Sequence, residues 1–209
     1  MPTERVIEIP WVLWQLPQAG LILDVGSCDA EYLGAIQQSD RTLHCLDPRP
    51  CNQPIPRGAT YFESDLIGNT LPAGGYDCVV MLSVLEHVGL PCYGNRAFDG
   101  GDRLAVGEVR RLLKPQGLAL ITVPAGRPSV TSWYRQYSPD LLHALLVGWT
   151  YSIEYWGYVS ERYVSIPEAR VTEFSYRDMP YKNGAGAGAL ACIRAVAPSE
   201  PTLSTRSVP

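Results

Sequence analysis

The segment from residue 21 to residue 30 constrains the fold of this chain more than any other. It opens with a short unbroken apolar run and then changes at Asp24-Val25-Gly26 to small and polar residues. This pattern predicts a strand buried on both faces, a tight turn and the start of a helix. At such a junction a glycine lets the backbone approach a ligand closely, and the free amide groups favour polar or anionic groups. A plain strand-to-helix turn would look similar, so the other strands must decide between the two interpretations.

Predicted strands and helices alternate along the rest of the chain. Short runs rich in apolar residues predict strands, and apolar residues at helical spacing predict helices between them. The predicted strands cover residues 42–47, 61–65, 76–82, 118–123, 151–158 and 188–196, and the predicted helices cover residues 30–38, 100–113 and 141–147. This alternation implies an α/β fold with a mostly parallel sheet and helices on its faces.

Residues 1–19 predict a short N-terminal helix that covers the rest of the domain. Proline suits the first position of a helix, so we expect the helix to begin near Pro10, with Trp11 and Trp14 on one face. Two interpretations stay open at this point. The helix packs against the sheet, or it covers a ligand-binding cleft.

Four of the predicted strands are followed by polar or small residues. These residues are Asp24 and Gly26, Asp47, Asp65, and the segment 83–87 with Ser83, Glu86 and His87. The carboxyl ends of parallel strands meet at one edge of a sheet, and ligands bind there. An acid at the end of the second strand suits the hydroxyls of a ribose, although a solvated aspartate before Pro48 would look the same. The convergence of four strand ends indicates a binding site.

Composition and charge restrict the class of protein. The chain has 209 residues, of which 46% are hydrophobic and 18% charged, and it carries a net charge of −4. This length suits one domain, and scattered Lys and Arg residues argue against nucleic acid as a partner. No apolar run reaches the length of a membrane helix and the N-terminus lacks a signal-peptide pattern, so we expect no membrane partner and a cytoplasmic location.

The six cysteines are Cys28, Cys45, Cys51, Cys78, Cys92 and Cys192. No two of them form a CxxC pair, and several lie inside apolar runs. Buried thiols in a reducing compartment therefore explain them better than disulfides or a zinc site.

Taken together and in order, the motifs resemble those of class I S-adenosylmethionine-dependent methyltransferases. The residues that match are Asp24-Val25-Gly26, Asp47, Ser64-Asp65-Leu66, the segment 76–88, and the segment 112–117 before a strand. The resemblance covers residues 20–124 and implies a Rossmann-like three-layer sandwich with seven strands, the last of them antiparallel. The later strands bring the single domain to residue 196, and we expect residues 197–209, with almost nothing apolar to bury, to be disordered.

The resemblance also implies a role for each matched residue. Asp24, Gly26 and Cys28 would lie on the loop that touches the methionine part of S-adenosylmethionine. Asp47 would bind the ribose hydroxyls, Asp65 and Leu66 the adenine, and Ser83 would lie near the sulfonium. Two positions depart from the family, because Cys28 and Ala30 stand where it has glycines. A related subgroup holds a metal at the Leu-Glu-His segment, but Ser83 replaces one of its acids, so we expect no metal here.

Methyl transfer to a hydroxyl or a protonated amine requires a base. His87 is the candidate, because an unperturbed histidine has a pKa of about 6.5; bracing the following helix is the alternative role. Glu86, Tyr93, Tyr134 and Arg135 are the candidates for contacts with the acceptor. Glu86 lies next to His87 in the chain, and the other three lie in less regular segments that contain aromatic residues.

These residues lead to one hypothesis and two rivals. The hypothesis is an enzyme that uses S-adenosylmethionine to methylate a small polar metabolite, first of all at a hydroxyl. One rival keeps the cofactor but transfers another group or closes a ring. The other is a catalytically silent methyltransferase-like subunit, which the departures at Cys28 and Ala30 would suit. The sequence leaves the oligomeric state open, a homodimer included.

Overall fold

A computed structural model describes residues 3–38, 40–51, 53–94, 96–178 and 185–199. Within these ranges four α-helices are formed, and short 3₁₀ turns connect several elements. The helices are α1 (Arg5–Gln15), α2 (Leu33–Ile36), α3 (Gly101–Leu112) and α4 (Pro139–Leu145). The predicted helix at 30–38 is therefore only one turn long. It follows a 3₁₀ turn at Ser27–Asp29, which the left-handed backbone of Gly26 introduces.

The strands in chain order are β1 (Gly20–Val25), β2 (Arg41–Asp47), β3 (Thr60–Glu63), β4 (Tyr76–Leu82), β5 (Leu113–Ala125), β6 (Ser129–Val130), β7 (Arg135–Gln136), β8 (Thr150–Val159), β9 (Arg162–Ser165), β10 (Arg177–Asp178), β11 (Ala185–Gly186) and β12 (Ala189–Val196). Eight of them form the main sheet in the order β3-β2-β1-β4-β5-β12-β8-β9. The other four make two separate two-stranded sheets, β6 with β7 and β10 with β11.

The main sheet is mixed. Strand β1 pairs in parallel with β2 on one side and with β4 on the other, so the strand order reverses direction between β1 and β4. Strand β12 is antiparallel to both β5 and β8, as predicted for the closing strand. The α/β, Rossmann-like fold is confirmed, but the expected count of seven strands is wrong, because β9 adds an eighth.

Strand β9 forms a hairpin with β8 around Ser160 and Glu161. Both turn residues have positive φ angles, 47° and 64°. Tight hairpin turns of this kind usually carry Asn or Gly. Because neither residue is a usual marker of such a turn, the sequence pattern does not reveal the hairpin.

Helix α1 lies on the sheet, but it begins earlier than expected. Pro10 is inside the helix, not at its start, so the prediction for Pro10 is wrong. Trp11 is buried and donates its indole N–H to a Glu154 carboxylate oxygen at 2.9 Å. Trp14 is 87% exposed, so the two rings do not share a buried face.

Two hydrophobic clusters lie on opposite faces of the sheet and complete three layers. Alternate residues of β1 divide between them, Ile22 on the side of α1 and α2, and Leu23 on the side of α3 and α4. None of the six cysteines forms a disulfide, and all except the half-buried Cys51 are buried, as predicted.

The C-terminal segment is described only in part. The predicted tail begins at Ala197, yet Ala197 is buried and its amide donates to the Gly117 carbonyl at 2.9 Å. Residues 200–209 lie outside the described residues, so their disorder stays a prediction. In the part of the chain that is described, no helix is both long and apolar enough to cross a membrane.

Candidate active site

A cavity of about 780 Å³ lies at the carboxyl ends of β1, β2, β3 and β4. Its position next to the reversal of strand order is where α/β sheets bind ligands. The sequence-predicted residues on its wall are Gly26, Asp47, Asp65, Leu66, Ser83, His87 and Tyr93. Thr3, Glu4, Arg5 and Ile9 line it from the N-terminal segment, so α1 both packs on the sheet and covers the cleft.

The turn after β1 requires a glycine. Gly26 has a φ of 81°, and a Cβ atom placed there would lie 2.5 Å from a methyl carbon of Val84. Its amide donates to the Leu46 carbonyl at 2.8 Å, which joins the turn to the end of β2. The backbone at Gly26 thus forms a close-packed corner of the cavity.

Asp24 does not line the cavity but supports the turn from behind. Its carboxylate accepts hydrogen bonds from the Ser27 hydroxyl at 2.7 Å and the Tyr32 hydroxyl at 2.9 Å. Burial raises the pKa of Asp24 to about 7, although these two hydrogen bonds oppose the rise. Cys28 is also absent from the cavity wall, and its amide donates to Asp47 at 3.1 Å. Both residues therefore hold the loop together.

Asp47 at the end of β2 is buried and fully hydrogen-bonded. Arg49 donates to its Oδ1 from the backbone N–H at 2.9 Å and from Nε at 3.0 Å, and to its Oδ2 from Nη2 at 3.1 Å. Arg49 also donates to Asp29 at 2.8 Å and lies 5.0 Å from the centre of the Tyr93 ring. The guanidinium therefore joins the β1 loop, the end of β2 and the segment that holds Tyr93.

The third strand contributes a second acid and an apolar residue. Asp65 is exposed, and its Oδ1 accepts from the Ile67 amide at 2.9 Å, which fixes the turn after β3. Leu66 is buried beside it. A carboxylate next to an apolar side chain suits a heterocycle that has both an edge of N–H donors and a flat face.

Ser83, directly after β4, has an unusual backbone and ties α1 to the sheet. Its φ is 52°, a conformation that non-glycine residues adopt mostly at constrained sites. Its hydroxyl donates to Glu8 Oε1 at 2.5 Å, and the Thr122 hydroxyl donates to the same oxygen at 2.7 Å. Glu8 is buried, and burial raises its pKa. These hydrogen bonds therefore attach α1 to the sheet, over the cavity, without contact with solvent.

His87 lines the cavity as a neutral ring. Its Nδ1 lies 2.5 Å from the Trp133 carbonyl, which can only accept, so Nδ1 carries the proton and the lone pair is on Nε2. Burial lowers the pKa of His87, and the bond to Trp133 only partly offsets this. A neutral imidazole with a lone pair beside a cavity has the form that a general base needs.

Glu86 is buried behind His87 and does not line the cavity. Its Oε2 has no hydrogen-bond partner among the described residues, and its Oε1 lies 3.8 Å from His87 Nε2. Burial raises the pKa of Glu86 well above the usual value of a glutamate. The protonated, neutral form is therefore favoured at this position, which does not suit the predicted contact with an acceptor.

The sequence also matches a family model described as a methyltransferase domain, over residues 6–163. The chain belongs to this methyltransferase family. The match spans more than half of the chain, including the strands that build the cavity, and it confirms the resemblance seen in the sequence. No curated protein sequence is significantly similar to this methyltransferase.

Solved structures with the same fold are distant in sequence. The 1,6-didemethyltoxoflavin-N1-methyltransferase of Burkholderia thailandensis, solved with bound 1,6-didemethyltoxoflavin and S-adenosylhomocysteine, is 12% identical with a TM-score of 0.61, covering 91% of this chain and 76% of that one. The N-methyltransferase NodS of Bradyrhizobium japonicum, solved with S-adenosylhomocysteine, is 12% identical with a TM-score of 0.60, covering 93% and 86%. YcgJ of Bacillus subtilis is 13% identical with a TM-score of 0.63, covering 92% and 99%.

Tyr134 and Arg135, which were predicted to contact the acceptor, pack outside the cavity of this methyltransferase. The Tyr134 ring stacks on Tyr176 with 3.7 Å between centroids, and Arg135 donates to the Val88 carbonyl at 2.6 Å. Neither lines the cavity, because both side chains are used in packing the segment behind it. Tyr93 does line it and contacts the edge of His87.

The roles of three residues of the methyltransferase site were not predicted from the sequence. Arg49 lies two positions after Asp47, Arg5 faces the cavity from α1, and Trp133 fixes the His87 ring through its carbonyl. An Asp-x-Arg pair at a strand end could have indicated the first. Nothing in the pattern indicates the other two, since one depends on helix placement and the other on a backbone atom.

Proposed function

We propose that this methyltransferase binds S-adenosylmethionine in the cavity above β1–β4 and methylates a small polar metabolite, with a hydroxyl as the preferred acceptor. The observation that carries the proposal is the arrangement of Gly26, Asp47, Asp65 and Ser83 on one cavity wall, each from a different strand end. Membership of the methyltransferase family gives the reaction type. The size of the cavity is within the usual range for small-molecule sites, roughly 300–1,000 Å³.

The charges of the wall fit this cofactor. S-adenosylmethionine supplies an electrophilic methyl group on a sulfonium and carries a second positive charge on its amino group. Glu4 lines the cavity and has a buried Oε2 without a hydrogen-bond partner among the described residues, so a cationic group would satisfy it. Asp47 would hold the ribose, Asp65 and Leu66 the adenine, and the Gly26 turn the methionine part. The two structures with bound S-adenosylhomocysteine support this choice for the shared fold.

His87 acts in this proposal as the base that takes the proton of the acceptor. The Trp133 carbonyl holds its tautomer, and burial keeps the ring neutral. The nearby aromatic ring of Tyr93 supplies an apolar wall that excludes water from the nucleophile. Two of the similar structures are N-methyltransferases, which supports a nitrogen acceptor as the alternative to a hydroxyl.

Binding and product analysis test the proposal. We expect titration calorimetry of the full chain with S-adenosylhomocysteine to give a one-to-one complex, and we expect Asp47→Ala to weaken it. Incubation with S-adenosylmethionine and a panel of hydroxyl and amine metabolites should release S-adenosylhomocysteine. Release of methylthioadenosine instead would indicate transfer of another group or a cyclisation. No binding heat would favour the catalytically silent subunit.

A further inference from the structure

The carboxylate of Asp47 has no acceptor position left for a ligand. A carboxylate offers about four lone-pair sites. All four are used, by the Cys28 amide at 3.1 Å, the Arg49 amide at 2.9 Å, and the Arg49 Nε and Nη2 atoms at 3.0 and 3.1 Å. A ribose placed on Asp47 would therefore find its hydrogen-bond partner already occupied.

The guanidinium of Arg49 uses the two sites that a ribose needs. Its Nε donates to Oδ1 and its Nη2 to Oδ2, one bond to each oxygen. A vicinal diol likewise has two donors, one for each oxygen. The two backbone amides on Asp47 are fixed by the chain, so the guanidinium is the group that can leave.

We propose that the Arg49 side chain is a displaceable arm that competes with the cofactor ribose for Asp47. This inference rests on the proposed function, because it takes S-adenosylmethionine as the ligand. A nucleoside binds by moving the guanidinium away from Asp47, while the Arg49 backbone stays in place. Arg49 therefore lowers cofactor affinity instead of contributing to it.

The arm has a second place to bind. Arg49 Nη1 already donates to Asp29 Oδ2 at 2.8 Å, and the guanidinium already lies 5.0 Å from the centre of the Tyr93 ring. Arginine has five N–H donors, so it can release Asp47 and keep Asp29 and the aromatic face. Asp29, Arg49 and Tyr93 all line the cavity, so the displaced arm would lie across the bound nucleoside.

The opposite interpretation is that Arg49 is a fixed strut that stiffens the turn at the end of β2. The two interpretations predict opposite changes in cofactor affinity when the Arg49 side chain is replaced. Loss of a strut loosens the site and weakens binding, whereas loss of a competitor frees Asp47 and tightens binding. The backbone of Arg49 has its own anchor, because the Tyr61 hydroxyl donates to its carbonyl at 2.6 Å, so a side-chain substitution leaves the turn attached.

The test is calorimetric titration of the full chain with S-adenosylhomocysteine. Arg49→Met keeps the aliphatic stem but has no donors, and we expect it to tighten binding by about three- to tenfold, the range for a partly exposed charge pair with a bidentate geometry. Arg49→Lys keeps the charge but lacks the fork, so we expect a smaller gain. In an Asp47→Asn background, Arg49→Met should produce no gain, since the contested carboxylate is gone.

A second variant tests where the arm goes. After displacement Asp29 is the one carboxylate partner that the guanidinium keeps, so its charge matters more in the bound state than in the free state, where Asp47 also pairs with Arg49. We therefore expect Asp29→Asn to weaken binding by about two- to threefold. The same change combined with Arg49→Met should have no effect. An effect of Asp29→Asn that persists without Arg49 would contradict the proposed destination.

The outcomes separate this inference from the proposed function. Binding by the wild type with unchanged or weaker binding by folded Arg49→Met overturns the inference and leaves the function standing. Binding only by the Arg49→Met variant supports the inference strongly. No binding by either protein overturns the proposed function, and the inference with it. Thermal melting of each variant without ligand confirms that it is folded.

Discussion

The end of β2 and the turn after β4 each bury a carboxyl group, but they satisfy it in opposite ways. Asp47 and Glu86 are equally buried, at 2% exposure. Asp47 accepts four hydrogen bonds, three of them from Arg49, whereas Glu86 Oε2 has no partner in the described residues. Burial alone therefore does not decide what a carboxyl group can do; the donors around it decide.

The difference divides the site into two halves with different chemistry. The β2 half is a polar rim, where charged groups lie at the cavity wall. The β4 half is dry, and burial there raises the pKa of Glu86 and lowers the pKa of His87. Both shifts favour neutral forms. The first half suits recognition of a nucleoside, and the second suits removal of a proton without a competing charge.

The largest expected effect concerns His87 in the dry half. We expect His87→Gln to lower kcat by about 100- to 10,000-fold, the usual contribution of a general base, with little change in affinity for S-adenosylhomocysteine. Only the neutral ring accepts a proton, so the wild-type rate should fall as pH drops through the His87 pKa. Because burial lowers that pKa, the midpoint should lie below the ordinary value of about 6.5. A pH–rate profile for both proteins measures this.

His143 provides the control for that substitution. It lies on α4, where it contacts the Tyr151 hydroxyl at 2.8 Å and Glu168 at 3.3 Å, away from the cavity wall. His143→Gln should keep the wild-type rate and the acid limb of the profile. An unchanged acid limb in His87→Gln would assign the titration to another group and would remove the distinction between the two halves.

The next effect concerns the polar rim. We expect Asp47→Ala to weaken S-adenosylhomocysteine binding by about 1–3 kcal/mol, because the ribose loses a buried hydrogen-bond acceptor. Calorimetric titration measures it. Asp65→Ala should cost less, since Asp65 is exposed and already engaged with the Ile67 amide. Equal losses at both positions would mean that the fully bonded carboxylate has no special part in binding.

Gly26 lies where the two halves meet, against Val84. We expect Gly26→Ala to destabilise the fold by about 1–3 kcal/mol, because its positive φ strains any side chain and the added Cβ would lie 2.5 Å from Val84. Gly34→Ala in α2 is the matched control. Apart from its chain neighbours and the backbone of α2, no atom lies within 4 Å of a Cβ there, so that variant should be as stable as wild type or slightly more stable. Denaturant unfolding of both variants gives the comparison.

The sequence was sufficient to predict most strands of the main sheet, but not β9 and not every side-chain direction. Apolar runs predict strands β1, β2 and β4. Because ligands bind at the carboxyl ends of parallel strands, the positions of Gly26 and Asp47 at strand ends predict that they line the cavity, and they do. The rule gives a position along the strand, not the face on which a side chain lies. Asp24 lies on the same face of β1 as Ile22, so it hydrogen-bonds under α2 and not in the cavity.

Other features depend on contacts between distant segments. The tautomer of His87 depends on a carbonyl at Trp133, and the anchor of α1 depends on Glu8 reaching Ser83 and Thr122. Glu86 is another residue whose surroundings could not be predicted from the sequence. Its position beside His87 in the chain suggested a contact with the acceptor, but its side chain is buried and does not line the cavity. Its burial comes from the packing of the turn after β4, which no local pattern encodes.

The smallest expected effect tests the unsatisfied carboxyl itself. Folding raises the pKa of Glu86 above its value in the unfolded chain, which is about 4.5. Above that pH the folded protein binds more protons than the unfolded chain, so the contribution of Glu86 to stability falls as pH rises. Glu86→Gln removes the ionisable group, so we expect it to stabilise the protein by about 1 kcal/mol at about pH 8 and to have little effect at about pH 5. Glu63→Gln, at an exposed position on β3, should change neither value. Unfolding free energies at the two pH values measure the difference. A loss of stability in Glu86→Gln at the higher pH would show that the carboxylate has a donor there, and the contrast with Asp47 would then be one of degree.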